Sequence, residues 1–480
     1  MLLHVPRGLH ACPMGPTEAI AEFAARTKAE DIPSEVLTRA KQHVVDTLGV
    51  ALASSRGSIS AILREVARGS TEGEASLWCG AGKSTAADAA WVNGTLAHAL
   101  DFDDGGVALT PMHPSAPVLP AVLALAEARN LSGMDAICAY IVGVEVECKL
   151  ATLISLEHYH RGWHSTAIIG TLGGAVGSAW LLRLSPEKIC HALGIASSMA
   201  GGLQANFGSM TKPLHAGQAA RNGVLAALLA EKSFTANPSS LEAEKGMIEV
   251  FGFGDSVTGP RMREVLGRPF HFLSPGVSLK RFPTCTSTHL CLEAVLALRS
   301  SNRLVRDRIE KVECAIHQLD FRVLLRPDGI RTAEQARFSL EYAVAVAIRD
   351  GEISLRHFDE AMIQSAELQG LMRKVHVFVP PELQDIESRG RRFGLVTIHL
   401  SDGSVISHRA TQIRGQPPLF LAEEEVDKKF FDCADPVLGR AKAEELLETL
   451  RRIETVSGVR EIVSVLRKGR GGGPVGPRRS

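Results

Sequence analysis

The sequence predicts a mainly α protein, with one large all-helical domain built from both ends of the chain and a smaller α+β lid domain. Three observations predict it. From Pro16 to about Thr235, apolar residues recur at helical spacing almost without a break. Near Pro275 the texture changes to strand-like alternation, and after Pro417 helical spacing returns. The expected boundaries are 16–274 for the first part of the helical domain, 275–411 for the lid, 412–467 for the returning helical part and 468–480 for a tail.

The elements follow in order. Thr17 and Glu18 read as the cap and first-turn acid of an opening helix, and Pro33-Ser34-Glu35 starts the next. Later helical patterns cover Ala86 to Leu100, Pro120 to Ala128, Gly133 to Ala151, Ser165 to Leu182, Pro186 to Ser198 and Pro213 to Lys232. Small residues such as Gly170, Gly173, Gly174 and Ala175 predict close helix packing, as in a bundle. In the lid, Val312–Ile316 and Val375–Val379 alternate like strands. Phe393 to Ser401 and Ser404 to Arg409 flank Asp402-Gly403, a turn that suits a hairpin. Two helical patterns, Cys291 to Arg299 and Ala333 to Asp350, lie among these strands, and Ala441 to Ile453 is strongly amphipathic. The tail, Lys468 to Ser480, is rich in Gly, Pro and Arg and is expected to be disordered.

Composition narrows the function. At 480 residues, 45% hydrophobic and 22% charged, the chain sits in the ordinary globular range for two to four domains. Lys plus Arg equals Asp plus Glu, which argues against a nucleic-acid surface and leaves room only for a local basic patch. The nine cysteines are scattered and include no C-x-x-C pair. They read as buried thiols in a reducing compartment, and the spacing of an iron–sulfur site is absent. The compartment expected is the cytoplasm, or the mitochondrial matrix if the source is eukaryotic. Ser165 to Leu182 is uncharged, but its four glycines and the following Arg183 favour a buried helix over a membrane span. Residues 1–15 read as a disordered extension, with a targeting peptide as the alternative.

Two distant stretches carry the chemistry. Asp101, Asp103 and Asp104 crowd three acids into four positions after a helix, where they face its negative end and each other. Packing gives no reason for that, whereas a site needing a carboxylate beside an imidazole does. Asp101 is the acid nearest the helix and His98 lies one turn before it, so this pair is the expected contact. His113, kept extended by Pro114, suits a pocket wall or a buried bond to backbone. His164 falls at the start of the uncharged helix, where a neutral imidazole and free N–H groups favour an anion. Lys212 precedes Pro213 at another helix N-terminus; a lysine there does not help the helix, which points to a ligand. Lys280, Arg281, Cys285 and His289 open the lid on a Thr/Ser-rich turn suited to capturing a carboxylate from the opposite side of a cleft. Metal binding by Asp101, His113 and His164 has no support in their spacing, so no metal site is assigned.

These stretches resemble the MmgE/PrpD family. The resemblance runs from about Thr17 to about Leu466. It rests on Asn93-Gly94 through Asp104, His113-Pro114-Ser115, Gly162-Trp163-His164, Ala205 through His215, and Lys280 through His289. The family includes cis-aconitate decarboxylase, 2-methylcitrate dehydratase and iminodisuccinate epimerase. The resemblance implies a homodimer without metal or organic cofactor, acting on a small di- or tricarboxylate in the cleft under the lid. It implies catalytic roles for Asp101, His113, His164 and Lys212, with substrate contacts from Lys280, Arg281, Cys285 and His289. The leading expectation is decarboxylation of cis-aconitate or a close analogue. The alternatives are dehydration, epimerisation, or an inert dimeric binding protein, and no nucleic-acid or membrane partner is expected. Two departures from the animal decarboxylases stand out: Cys285 replaces a histidine, and an aliphatic residue near Val323 to Leu325 replaces a tyrosine.

Overall fold

The computed structural model describes residues 14–67, 73–78, 82–106, 110–301, 306–325, 329–385 and 392–467. The readings of 468–480 and of most of 1–15 lie outside these residues. The chain is mainly α, and its buried apolar side chains form two large clusters. One draws on residues 19–279 and again on 421–466; the other draws on 282–413.

At the centre of the first cluster the Thr211–Glu231 helix packs on the Ala86–His98 and Ser165–Leu181 helices. Glycines set the spacing. A Cβ on Gly217 would lie 2.1 Å from Thr95 Oγ1, and one on Gly223 would lie 2.6 Å from the Gly174 carbonyl carbon. Both helices would be forced apart, so close backbone approach here depends on glycine. The Ser165–Leu181 helix is buried along its whole length. No helix among the described residues is long and apolar enough to cross a membrane. The chain returns through the Glu423–Leu438 and Arg440–Arg451 helices, and the first of these packs on Ser34–Ser54 with Phe430 against Gly49.

The second cluster is built on a four-stranded sheet in the order Val375–Phe378, Ile309–Ala315, Gly394–Leu400, Val405–Ala410. The first pair is parallel and the others are antiparallel. Val396, Ile398 and Leu400 point inward at strand period, and Gly403 takes φ +80 in the expected turn. The His289–Ser300 and Leu340–Asp350 helices cover this sheet.

Three local expectations shift. The first helix is capped at Gly15, and the Thr17 hydroxyl instead donates to Glu242 across the chain. The helix expected from Pro120 begins at Ser115, whose N–H is held by Asp104. The pattern from Ala333 to Asp350 splits at Phe338, because Ser339 caps a new helix at Tyr342 N.

Candidate active site

A short turn after the Ala86–His98 helix organises the site. Asp101 adopts φ +49, a left-handed conformation that few residues other than glycine and asparagine take readily. Three residues on, Asp104–Gly105 pairs antiparallel with Ser278–Leu279, which delivers Lys280 to the same place. Lys280 Nζ donates to Asp101 Oδ1 at 2.7 Å and to the Asp101 carbonyl at 2.9 Å. Lys212, in the first turn of its helix, donates to the same Oδ1 at 2.9 Å. All three side chains are buried. Burial alone would push the Asp101 carboxyl up, but Lys212 and Lys280 outweigh it and hold it well below the usual range. For Lys280, burial is the largest influence and pulls down, but Asp101, Asp103 and Cys285 together outweigh it, so its ammonium is held. Asp101 Oδ2 is buried without a hydrogen-bond partner.

The expected Asp101–His98 contact is corrected: Asp103 takes His98, whose Nδ1 donates to it at 2.9 Å. Burial lowers His98 to about 3, so the ring is neutral, and its Nε2 has no partner. His113 Nδ1 donates to the Asp104 carbonyl at 2.6 Å, with Asp103 Oδ2 3.4 Å away. That turns His113 Nε2 toward Asp101 Oδ1, at 3.8 Å. Asp104 is buried behind the loop, where it accepts from the Ser115 N–H and lies 3.3 Å from His43 Nδ1. His164 is the N-cap of the Ser165–Leu181 helix; its Nδ1 lies 3.2 Å from His215 Nδ1. Burial, with the Lys212 charge second, holds His164 well below the usual imidazole range and His215 at about 4.

A cavity of about 310 Å³ lies against this cluster. Asp101, His113, His164 and Lys212 meet Lys280 and Cys285 there, as do Val323 and Phe338 from the second cluster. The Lys212 ammonium lies 5.6 Å from the Phe207 ring centre and 5.1 Å from that of Phe338. Burial raises the Cys285 thiol, which keeps it protonated. Two expected substrate residues are not on the wall. Arg281 turns outward to Glu293 at 3.1 Å, and His289 is buried behind Phe282 with Nε2 3.3 Å from the Thr284 carbonyl. The strand ends at Leu279 and the chain bends at Arg281, which is exposed while Lys280 is buried. Three wall residues carried no sequence signal, Tyr159, Asp320 and Arg392, and Phe207 lies in the Ala205–His215 stretch without having been given a role. Of the residues beside Tyr159, His158 is buried against Ser165 Oγ at 2.9 Å and His160 is exposed.

Among the described residues, His98, Asp101, Asp103 and His113 have ligand atoms within 4.8 Å of one another. The set is of metal-binding type, and His98 Nε2 and Asp101 Oδ2 are buried without a hydrogen-bond partner. Both Nδ1 atoms give their protons to oxygens, and Asp101 Oδ1 holds two ammonium groups within 3 Å. A divalent ion at Asp101 would stand beside two buried ammonium groups, whose positive charge opposes it.

Lys429, buried on the Glu423–Leu438 helix, fastens the site from behind. Its Nζ donates to the carbonyls of Phe102 (2.6 Å) and Lys280 (2.9 Å) and pairs with Asp46 at 2.5 Å. Burial raises Asp46 to about 6 against the pull of Lys429. Lys429→Met is expected to cost about 3–5 kcal/mol of stability by stranding Asp46. The double variant Asp46→Asn/Lys429→Met should regain most of that stability and still turn over slowly, because the two carbonyls beside Asp101 and Lys280 stay unfastened. Thermal unfolding alongside kcat tests this; full recovery of kcat in the double variant would reduce Lys429 to a stability role.

Comparison with known proteins agrees over nearly the whole chain. Residues 18–259 match the MmgE/PrpD N-terminal domain and residues 282–455 match the MmgE/PrpD C-terminal domain. The chain is 29% identical to a cis-aconitate decarboxylase of Homo sapiens over 464 residues, covering 94% of each protein. It is 28% identical to that of Mus musculus (94% of this chain, 93% of the relative) and 27% identical to that of Aspergillus terreus (94% and 96%).

Proposed function

The chain belongs to the MmgE/PrpD family, and from that premise we propose that it decarboxylates cis-aconitate, or a close tricarboxylate analogue, without metal or organic cofactor and as a homodimer. It is an enzyme of the lyase type, as the cis-aconitate decarboxylases it resembles are. The observation that carries the reading is the pair of buried ammonium groups on one carboxylate oxygen, Lys212 and Lys280 on Asp101 Oδ1, with His113 and His164 on the same cavity wall. Each ammonium has three N–H donors, so both keep donors for a substrate carboxylate.

The chemistry follows from the substrate. In cis-aconitate one carboxylate sits on the CH₂ next to the double bond. As that C–C bond breaks, CO₂ leaves and the electron pair forms a new terminal double bond. The former double bond's pair moves to the carbon next to a remaining carboxylate and takes a proton there, giving itaconate. Negative charge spreads onto that carboxylate in the transition state, where Lys212 and Lys280 stabilise it. His113, with Nδ1 fixed on the Asp104 carbonyl, presents Nε2 to the cavity and delivers the proton. His164, neutral in its buried position, orients the substrate at a helix N-terminus. Closure of the 275–411 segment excludes the water that would quench the carbanion elsewhere.

Cys285 and Val323 both line the cavity. They stand at or near the two positions where the animal decarboxylases differ, so substrate choice rests on this wall. The test is incubation with cis-aconitate, 2-methylcitrate and iminodisuccinate in deuterated water, followed by NMR after dialysis against a chelator. Itaconate carrying one deuteron on its saturated CH₂ is expected. Conversion of another substrate instead would reassign the reaction; dependence on added metal, or no turnover and no exchange with any of the three, would sink the reading.

A further inference from the structure

We infer that Arg392, held by Asp320, is the receptor for the third carboxylate of the substrate and sets the preference for tricarboxylates over dicarboxylates; the inference rests on the polycarboxylate reading above. Both residues line the cavity, on the wall that also holds Cys285 and Val323. Asp320 is buried in the short Gln318–Val323 helix and accepts from Arg392 Nη2. The pairing does not use up the guanidinium. Arg392 Nε is buried without a partner, and the side chain keeps 35% of its surface, enough for an anion to reach the fork. A guanidinium presents five donors in a plane and binds carboxylates through two at once. With Asp320 taking one N–H, the fork is held in place while other donors remain.

The placement of charge points the same way. The ionised groups on the cavity wall are Lys212, Lys280 and Arg392 against Asp101 and Asp320. Three cations against two anions leave one net positive charge; it belongs to the two lysines on Asp101, while the Arg392–Asp320 pair is balanced and offers its free donors rather than a surplus charge. Lys212 and Lys280 converge on one atom of Asp101 and so define one anion position. A substrate with three carboxylates needs cationic recognition elsewhere. Arg392 is the cation on this wall outside the Asp101 cluster, among the described residues.

The experiment compares two inert probes by calorimetry: propane-1,2,3-tricarboxylate, and glutarate, which lacks only the middle carboxylate. Arg392→Gln alone strands Asp320, so the main variant is Asp320→Asn/Arg392→Gln, with thermal unfolding recorded for each. The wild-type chain should bind the tricarboxylate more tightly. The double variant should bind it roughly tenfold to a hundredfold more weakly and bind glutarate within about twofold of wild type. Arg392→Lys, a point charge without the fork, should restore only part of the preference. An unchanged tricarboxylate affinity in the double variant overturns the inference, as does an equal loss for both probes. If the wild type binds neither probe, the polycarboxylate reading itself falls and this inference falls with it.

Discussion

Asp101→Asn is expected to lower kcat/KM by roughly a hundredfold to ten-thousandfold while the chain stays folded. Two charge-assisted hydrogen bonds end on Asp101 Oδ1, from Lys212 at 2.9 Å and Lys280 at 2.7 Å. Each is worth about 1.5–3 kcal/mol, and each 1.4 kcal/mol is about tenfold. Asparagine keeps the shape and, unlike most residues, tolerates the positive φ of this position. What it removes is the charge that lets two buried ammonium groups share one small space. Left facing each other, one of them withdraws or gives up its proton, and the anion position loses its field. A new ionisation should therefore appear in the pH dependence of kcat/KM. Lys212→Ala, which removes one contact and leaves the other, should fall between the variant and wild type. Activity of the asparagine variant within threefold of wild type, with an unchanged pH profile, would return Asp101 to a purely structural role.

The acid cluster was legible in the sequence as a conflict with the helix dipole, but its partners were not. His98 and Asp101 sit at helical spacing, which suggested their contact. The turn at φ +49 takes Asp101 out of register, so Asp103 meets His98 instead. No periodicity in one sequence reports a single left-handed residue. Lys280 lies on the cavity wall, although the element that brings it there, two residues paired with two, is too short to leave a pattern. Arg281 was read with it because the pair looked like one basic patch; a bend at Arg281, just past the two-residue strand, separates them. Arg392, Asp320 and Phe207 come from three separate segments and meet only through the packing of the second cluster against the first. The long helices and the Asp402-Gly403 hairpin were readable because local spacing dictates them. Lys429 was hidden for the opposite reason, since a lysine in an amphipathic helix ordinarily faces water.

Acid should unfold the chain in a window set by its buried histidines, with a midpoint between about pH 4 and 5. Burial lowers His98, His271 and His289 to about 3, and His158 and His215 to about 4. In the unfolded chain these rings titrate near 6.5. Below that pH the unfolded state takes up protons that the folded state refuses, so stability present above 6.5 is lost as pH falls. Three buried carboxyls act in the opposite sense. Burial raises Asp46 to about 6, Glu145 to about 7 and Glu147 well above its usual range, so the folded state binds their protons first and gains as pH falls. With His164, also held well below the usual range, six histidines against three carboxyls leave about three protons, or roughly 4 kcal/mol per pH unit. From pH 6.5 to 4.5 that amounts to about 8 kcal/mol, comparable with the whole stability of many proteins. Below about 4.5 the carboxyls no longer compensate. Asp101 and Asp103, held well below the usual range by their cationic and imidazole partners against burial, then add to the loss. His271 offers the cleanest check, because neither ring nitrogen has a partner and it lies outside the cavity. His271→Leu should flatten the fall of denaturant-unfolding free energy between pH 6 and 4 by about 1.4 kcal/mol per unit. A wild-type unfolding free energy that stays level from pH 7 to 4.5 would show that these rings are protonated in the folded chain, and the neutral assignments of His98 and His215 at the site would fall with it.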